Sequence, residues 1–182
     1  MDDDAYFDFC VANPEIRFER TSTGEIVIVP PAGYESEDQN AEVVMQLRLW
    51  AKRDGRGKAT GPTAEFILPT RAALSPDAAW VSYGRLAQFS KQQRRKFLHV
   101  CPGFVIEVMS PTDRLAAAKK KMEERLRGGI DLGWLIDGDR RAVYVYRKGQ
   151  QGTETVTGTS TISGEGPVAG LELNLDEVWA GL

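Results

Sequence analysis

Apolar positions along the chain recur at two spacings, and each predicts a different element. Over residues 36–53 the spacing is helical. Val43, Val44, Leu47 and Trp50 form one stripe, Ser36 is placed to cap the start, and Gly55 and Gly57 end it. A second helix is predicted from Thr112 or Asp113 to Arg127. Its stripe is Leu115, Ala118, Met122 and Leu126, and Gly128-Gly129 stops it. Residues 17–20 and 25–29 flank Thr23-Gly24, the pattern of a hairpin, which Pro30-Pro31-Ala32-Gly33 breaks. Short apolar runs predict strands over 65–68, 78–82, 132–136 and 142–146, the last two joined by Asp137-Gly138-Asp139. Residues 104–109 are nearly continuous apolar sequence, as expected of a strand buried on both faces. A charged helical piece is predicted around 91–96, weak strands near 153–157 and 171–173, and a short helix near 176–179. The first dozen residues, with Phe7 and Phe9, carry no assignable pattern.

This order predicts an α/β (α+β) chain, a sheet with helices packed on it. One domain over residues 1–182 is expected, with a hairpin at about 15–30, a core at about 36–147 and a β/helix tail at about 150–182. Trp80 and Trp134, within strands, are expected in the core.

Composition narrows the chemistry. The chain is 42% hydrophobic and 27% charged, ordinary for a globular protein. A formal charge of −3 argues against a protein that coats nucleic acid by bulk electrostatics, but not against a site that collects cations. Cys10 and Cys101 have neither metal-type spacing nor the look of a disulfide framework. A single histidine, His99, excludes a three-histidine zinc site within one chain. There is no apolar run of membrane-spanning length, and Met1-Asp2-Asp3-Asp4 opens the chain with acid rather than base. A cytoplasmic location is expected.

Against that background one residue is out of place. Glu107 lies inside the apolar run, on the face shared by Val105 and Met109. A charge there is costly unless it is paired or bound to metal. Asp77 opens the strand at 78–82. If the two strands are neighbours, both carboxylates can share a face. Lys121 lies about two turns into the following helix, which can fold back over the sheet. Two carboxylates and a lysine so placed suit phosphodiester hydrolysis with a divalent ion. Each alone has a plainer reading: a structural ion pair for Glu107, a turn for Asp77, solvated surface for Lys121 in Lys119-Lys120-Lys121.

The text around these residues resembles the PD-(D/E)XK nuclease superfamily of restriction-endonuclease-like fold, a mixed central sheet flanked by helices. More narrowly it is similar to a bacterial branch of restriction endonucleases. The matching text is Ser75-Pro76-Asp77-Ala78-Ala79-Trp80-Val81 and Cys101-Pro102-Gly103-Phe104-Val105-Ile106-Glu107-Val108-Met109-Ser110-Pro111, then Lys121-Met122, Gly129-Ile130 and Gly133-Trp134-Leu135-Ile136-Asp137. The resemblance implies an endonuclease acting on DNA as a homodimer. Asp77 and Glu107 would hold Mg²⁺, with Mn²⁺ as the alternative ion, and Lys121 would assist. The strict motif places lysine two residues after the glutamate, where this chain has Met109; the lysine has moved to the helix. The superfamily often adds an acid from the first helix. Glu42 is the first candidate and Glu19 on the first strand the second.

Arg53, Arg56 and Lys58 are candidates for nucleic-acid contact, and so is the basic run at 91–96. Ser110 would either contact the site or cap the helix that follows. The rival function is a nuclease-fold protein that no longer cuts and serves as a binding or regulatory module.

Overall fold

The structure, a computed structural model, describes residues 1–180. In chain order the elements are α1 (Asp3–Ala12), β1 (Arg17–Arg20), β2 (Ile26–Val29), α2 (Tyr34–Asp54), β3 (Gly57–Thr60), β4 (Phe66–Ile67), β5 (Ala73–Leu74), β6 (Ala78–Ser82) and α3 (Tyr83–Leu86). After a 3₁₀ turn at Gln93–Arg95 come β7 (Phe104–Val108), α4 (Leu115–Arg127), β8 (Leu132–Asp137), β9 (Ala142–Arg147), β10 (Glu154–Thr157), β11 (Thr161–Ser163), β12 (Glu172–Asn174) and α5 (Leu175–Trp179).

Six strands form the central sheet in the order β10-β9-β8-β7-β6-β3. Only β7 and β8 run parallel, and α4 is the crossover between them. A second sheet, β2-β1-β5-β4, is built from the hairpin and two short strands. Gly24, at φ +90°, makes the hairpin turn.

Alternation along the strands sorts the core into two layers. Ala78, Trp80, Phe104, Ile106, Val108, Trp134 and Ile136 face α2 and the C-terminal segment, meeting Val43, Leu47, Trp50, Leu171, Leu173 and Val178. Ala79, Val81, Val105, Met109, Leu135 and Tyr144 face the other way and are covered by α4 through Leu115, Ala118, Met122 and Leu126. The stripe expected for α4 is therefore the one it buries. Phe104 and Trp134 meet edge to face at 4.9 Å, and Trp80 and Trp134 are core residues as expected.

Several local expectations are corrected. The unassigned N-terminus is a helix: the Asp2 carboxylate caps α1 by accepting from the Ala5 N–H at 2.8 Å. Tyr6 is its one fully buried residue, so a helical stripe was hard to see. Ser36 does not cap α2, which starts two residues earlier after Gly33; Ser36 is buried inside its first turn. Neither Thr112 nor Asp113 caps α4. Arg114 holds that position without a side-chain bond, because Asp113 is committed to the Ser110 N–H at 2.8 Å. Strand β3, the two-residue strand β5 and strand β11 were not expected at all.

Candidate active site

Register brings the two carboxylates together. Strands β6 and β7 pair antiparallel with Ala78 opposite Ile106 and Ala79 opposite Val105. One step further along this ladder, Asp77 stands across from Glu107. Both side chains then leave the sheet on the α4 side, with Ala79 and Val105. The Asp77 carboxylate accepts from the Val108 N–H at 2.8 Å, which ties it to the strand it faces. Burial pushes its pKa above the ordinary value, against the Val108 hydrogen bond and the charges of Arg125, Lys121 and Arg17.

Helix α4 supplies the cations. Lys121 and Arg125 are four residues apart and share one helix face. Lys121 Nζ lies 3.7 Å from Glu107 Oε2 and 3.3 Å from Glu19 Oε2. Its side chain is 45% exposed, so its amine is within reach of both acids and of solvent. Arg125 is buried. Its Nη1 pairs with Glu107 Oε1, and its Nη2 donates to Glu19 Oε1 at 3.4 Å. Burial draws the Arg125 pKa down, but a guanidinium starts so high that it stays charged.

Glu19 reaches the site from β1 in the second sheet. Its carboxylate also accepts from the Ser75 N–H at 3.1 Å. Burial favours its neutral form, yet Arg125, Lys121 and the Ser75 amide outweigh that and hold its pKa below the ordinary value. A cleft of about 340 Å³ opens beside this cluster, between the β1–β2 hairpin and α4. Glu19, Lys121 and Arg125 are in its wall, with Thr21, Ser22, Thr23, Thr70 and Arg127.

Other expected residues fall elsewhere. Glu42 is not part of the cluster. It lies on α2, whose residues Val43, Leu47 and Trp50 hold that helix against the opposite face of the sheet. There its carboxylate accepts from Gln46 at 2.7 Å. Arg53, Arg56 and Lys58 flank the far end of β6, since Gly57 pairs with Ser82 and Thr60 with Ala79. At about 3.3 Å per residue that is roughly 15 Å from Asp77. Arg56 is tied to Asp54 at 2.7 Å and to the Ala169 carbonyl at 3.1 Å. Ser110 bonds within its own loop, to Asp113 through its N–H and to Thr112 at 3.0 Å through its hydroxyl. The run at 91–96 forms a 3₁₀ turn at Gln93–Arg95 and lies beside α1, where Lys96 pairs with Asp4 at 2.8 Å. Arg125, which the sequence reading missed, is the central cation. The signal was present in its spacing of four from Lys121, but its partner Glu19 is far away in the chain.

Among curated proteins, no sequence matches the chain. A solved structure does, described as "a putative nuclease belonging to DUF820" from Anabaena variabilis. The match has a TM-score of 0.76 and 22% identity, and covers 92% of each chain. At that identity the correspondence is one of fold, and the fold is restriction-endonuclease-like. A family model described as "Uma2: Putative restriction endonuclease" matches residues 3–176, from the start of α1 into α5. That span takes in Glu19, Asp77, Glu107, Lys121 and Arg125, and the chain belongs to the Uma2 family.

Proposed function

We propose that the chain is a Mg²⁺-dependent endonuclease that hydrolyses phosphodiester bonds in DNA, with Mn²⁺ as an alternative ion. The observation that carries this reading is the placing of Asp77 opposite Glu107 on one sheet face, with Lys121 3.7 Å from Glu107. The donor set suits the ion. Mg²⁺ prefers carboxylate oxygens, takes one or two of them, and fills its shell with water and phosphate oxygens. Asp77 and Glu107 would hold it. When bound, it would polarise the phosphate and make a bound water more acidic.

The remaining work falls to the protein. The Val108 N–H fixes the direction of Asp77. Glu107 is set by its partners on α4. Lys121, half exposed between two carboxylates, places an ammonium where a phosphate oxygen gains negative charge, and so steadies that charge. Hydroxyls of Thr21, Ser22, Thr23 and Thr70, with Arg127, line a cleft suited to a sugar–phosphate strand. Cutting both strands needs two sites, so the working assembly is a homodimer on DNA.

One observation favours a second reading, a nuclease-fold module that binds without cutting: Glu107 is already paired with Arg125. The experiment is nicking of supercoiled plasmid with Mg²⁺, Mn²⁺ or EDTA, beside Asp77→Asn and Glu107→Gln. Metal-dependent nicking that each substitution lowers by at least about a hundredfold supports the nuclease. Folded protein that neither nicks nor binds Mn²⁺ hands the site to the second reading.

A further inference from the structure

Arg125 takes no chemical part in the proposed reaction, although it contacts Glu107 directly. It is 2% exposed, and so among the most deeply buried charged side chains described. A cation in such a place persists only against matching carboxylates. Arg125 has two, Glu107 through Nη1 and Glu19 through Nη2. Glu19 is pinned in turn by the Ser75 N–H. Amide, acid, guanidinium and acid thus form one connected chain. One oxygen of Glu107, Oε1, is taken by Arg125. The other, Oε2, faces the half-exposed Lys121.

Resting on the nuclease reading, we infer that Arg125 is a built-in counter-ion. It positions Glu107 and Glu19, and it fills the place between them that a second divalent cation would take. The site therefore binds one metal ion, at Asp77 and Glu107, and not two.

Charge supports this. By formal charge, Glu19, Asp77 and Glu107 count −3 and Lys121 and Arg125 count +2, for a net of −1. One divalent ion takes the net to +1; a second would take it to +3 in a partly buried space. Two-metal sites set their ions about 3.5–4 Å apart and need carboxylates free to bridge them. Here the group that would bridge on the Glu19 side already holds a fixed, planar cation that does not lose its proton.

The test is Mn²⁺ titration followed by the spin resonance of free Mn²⁺ and by calorimetry. It uses the full chain, Asp77→Asn, Arg125→Gln and Arg125→Lys, each checked for fold by circular dichroism. The expected result is one Mn²⁺ per native chain, none in Asp77→Asn, two in Arg125→Gln, and one again in Arg125→Lys. Two ions on the native chain overturn the inference and leave the nuclease reading standing. One ion at unchanged affinity in Arg125→Gln overturns it as well. No ion on folded native chain overturns the nuclease reading and this inference together. Should Arg125→Gln fail to fold, the native and Arg125→Lys stoichiometries decide, since two ions on either is incompatible with a filled position.

Discussion

Glu19 and Arg20 are neighbours on β1, and their side chains leave opposite faces of that strand into two clusters that treat buried charge differently. On the Glu19 side, Glu19 meets two cations on α4, Lys121 and Arg125, which hold its pKa below the ordinary value. On the Arg20 side lies the underside of α1. Arg20 is 3% exposed, pairs with Asp3 at 2.5 Å, and donates to the Arg71 carbonyl at 2.9 and 3.2 Å. Arg71 presents that carbonyl from a left-handed conformation, φ +67°. The Arg20 guanidinium also stacks over the Tyr6 ring, 4.8 Å from its centre. The acid nearby, Glu65, has no salt bridge among the described residues and accepts a hydrogen bond from the Tyr6 hydroxyl at 2.7 Å. Burial pushes Glu65 up to about 7, against that hydrogen bond and the charges of Arg20 and Arg17, with the charge of Glu19 adding to the rise. Glu19, in contact with two cations, is held towards its charged form. Glu65, matched with a phenol, drifts towards neutrality and serves packing.

The contrast is broken hardest by removing Arg20. Arg20→Ala leaves Asp3 and the Arg71 carbonyl without their partner, and is expected to cost about 3 kcal/mol. That is roughly 10 °C in Tm for a chain of this size, read by thermal unfolding. Plasmid nicking per folded molecule should not change, because no Arg20 contact reaches Glu107. A large loss of nicking at full folding would mean that the two clusters are one functional unit.

Lys121→Ala should do the reverse. Nicking falls by about a hundredfold, while Tm moves by about a degree, since the side chain is 45% exposed and its pairings are weak. Lys121→Arg should recover part of the rate. A drop in Tm that matches the drop in rate would reduce Lys121 to a structural partner of Glu19.

The finest distinction is in the sign of the pH dependence. Glu65 is raised from 4.5 to about 7 in the folded chain, so the folded state holds that proton more tightly than the unfolded one. Its stabilisation is full below pH 4.5 and is lost as pH rises through about 7. Glu19, held below its ordinary value, acts the other way: its contribution is present above that value and lost as pH falls. Glu65→Gln should therefore flatten the decline of Tm between pH 5 and pH 7.5, by a few degrees at most. Parallel curves for the variant and the native chain would show that Glu65 titrates normally.

The sequence made one side of this contrast far more legible than the other. Glu107 stood out because an acid interrupted an apolar strand. Asp77 and Lys121 followed from strand pairing and from the return of a helix over its sheet. Those inferences are local: register over a few residues, one crossover, one helical stripe. Glu42 was preferred over Glu19 because it sits on a helix, and only tertiary packing shows that α2 covers the wrong face. Arg125 looked like any charge on a Lys/Arg-rich helix, since nothing near it in the chain marks Glu19 as its partner. The hairpin and the strand predicted over 65–68 are β1, β2 and β4, but β5, at two residues, is too short to show alternation. Because β5 joins β1 to β4, the second sheet, and the route by which Glu19 arrives, could not be assembled without it.

That route carries a consequence for how the molecule assembles. Asp77, Glu107, Lys121 and Arg125 all lie within one stretch of the central sheet and its crossover, whereas the contact from Arg125 to Glu19 spans 106 residues of chain. Closing so long a loop comes late and at high entropic cost. Until the hairpin docks, Arg125 lacks Glu19, one of its two acid partners. Docking of the N-terminal sheet and completion of the cluster are thus one event, and a chain whose hairpin has not docked lacks the Glu19 side of its site.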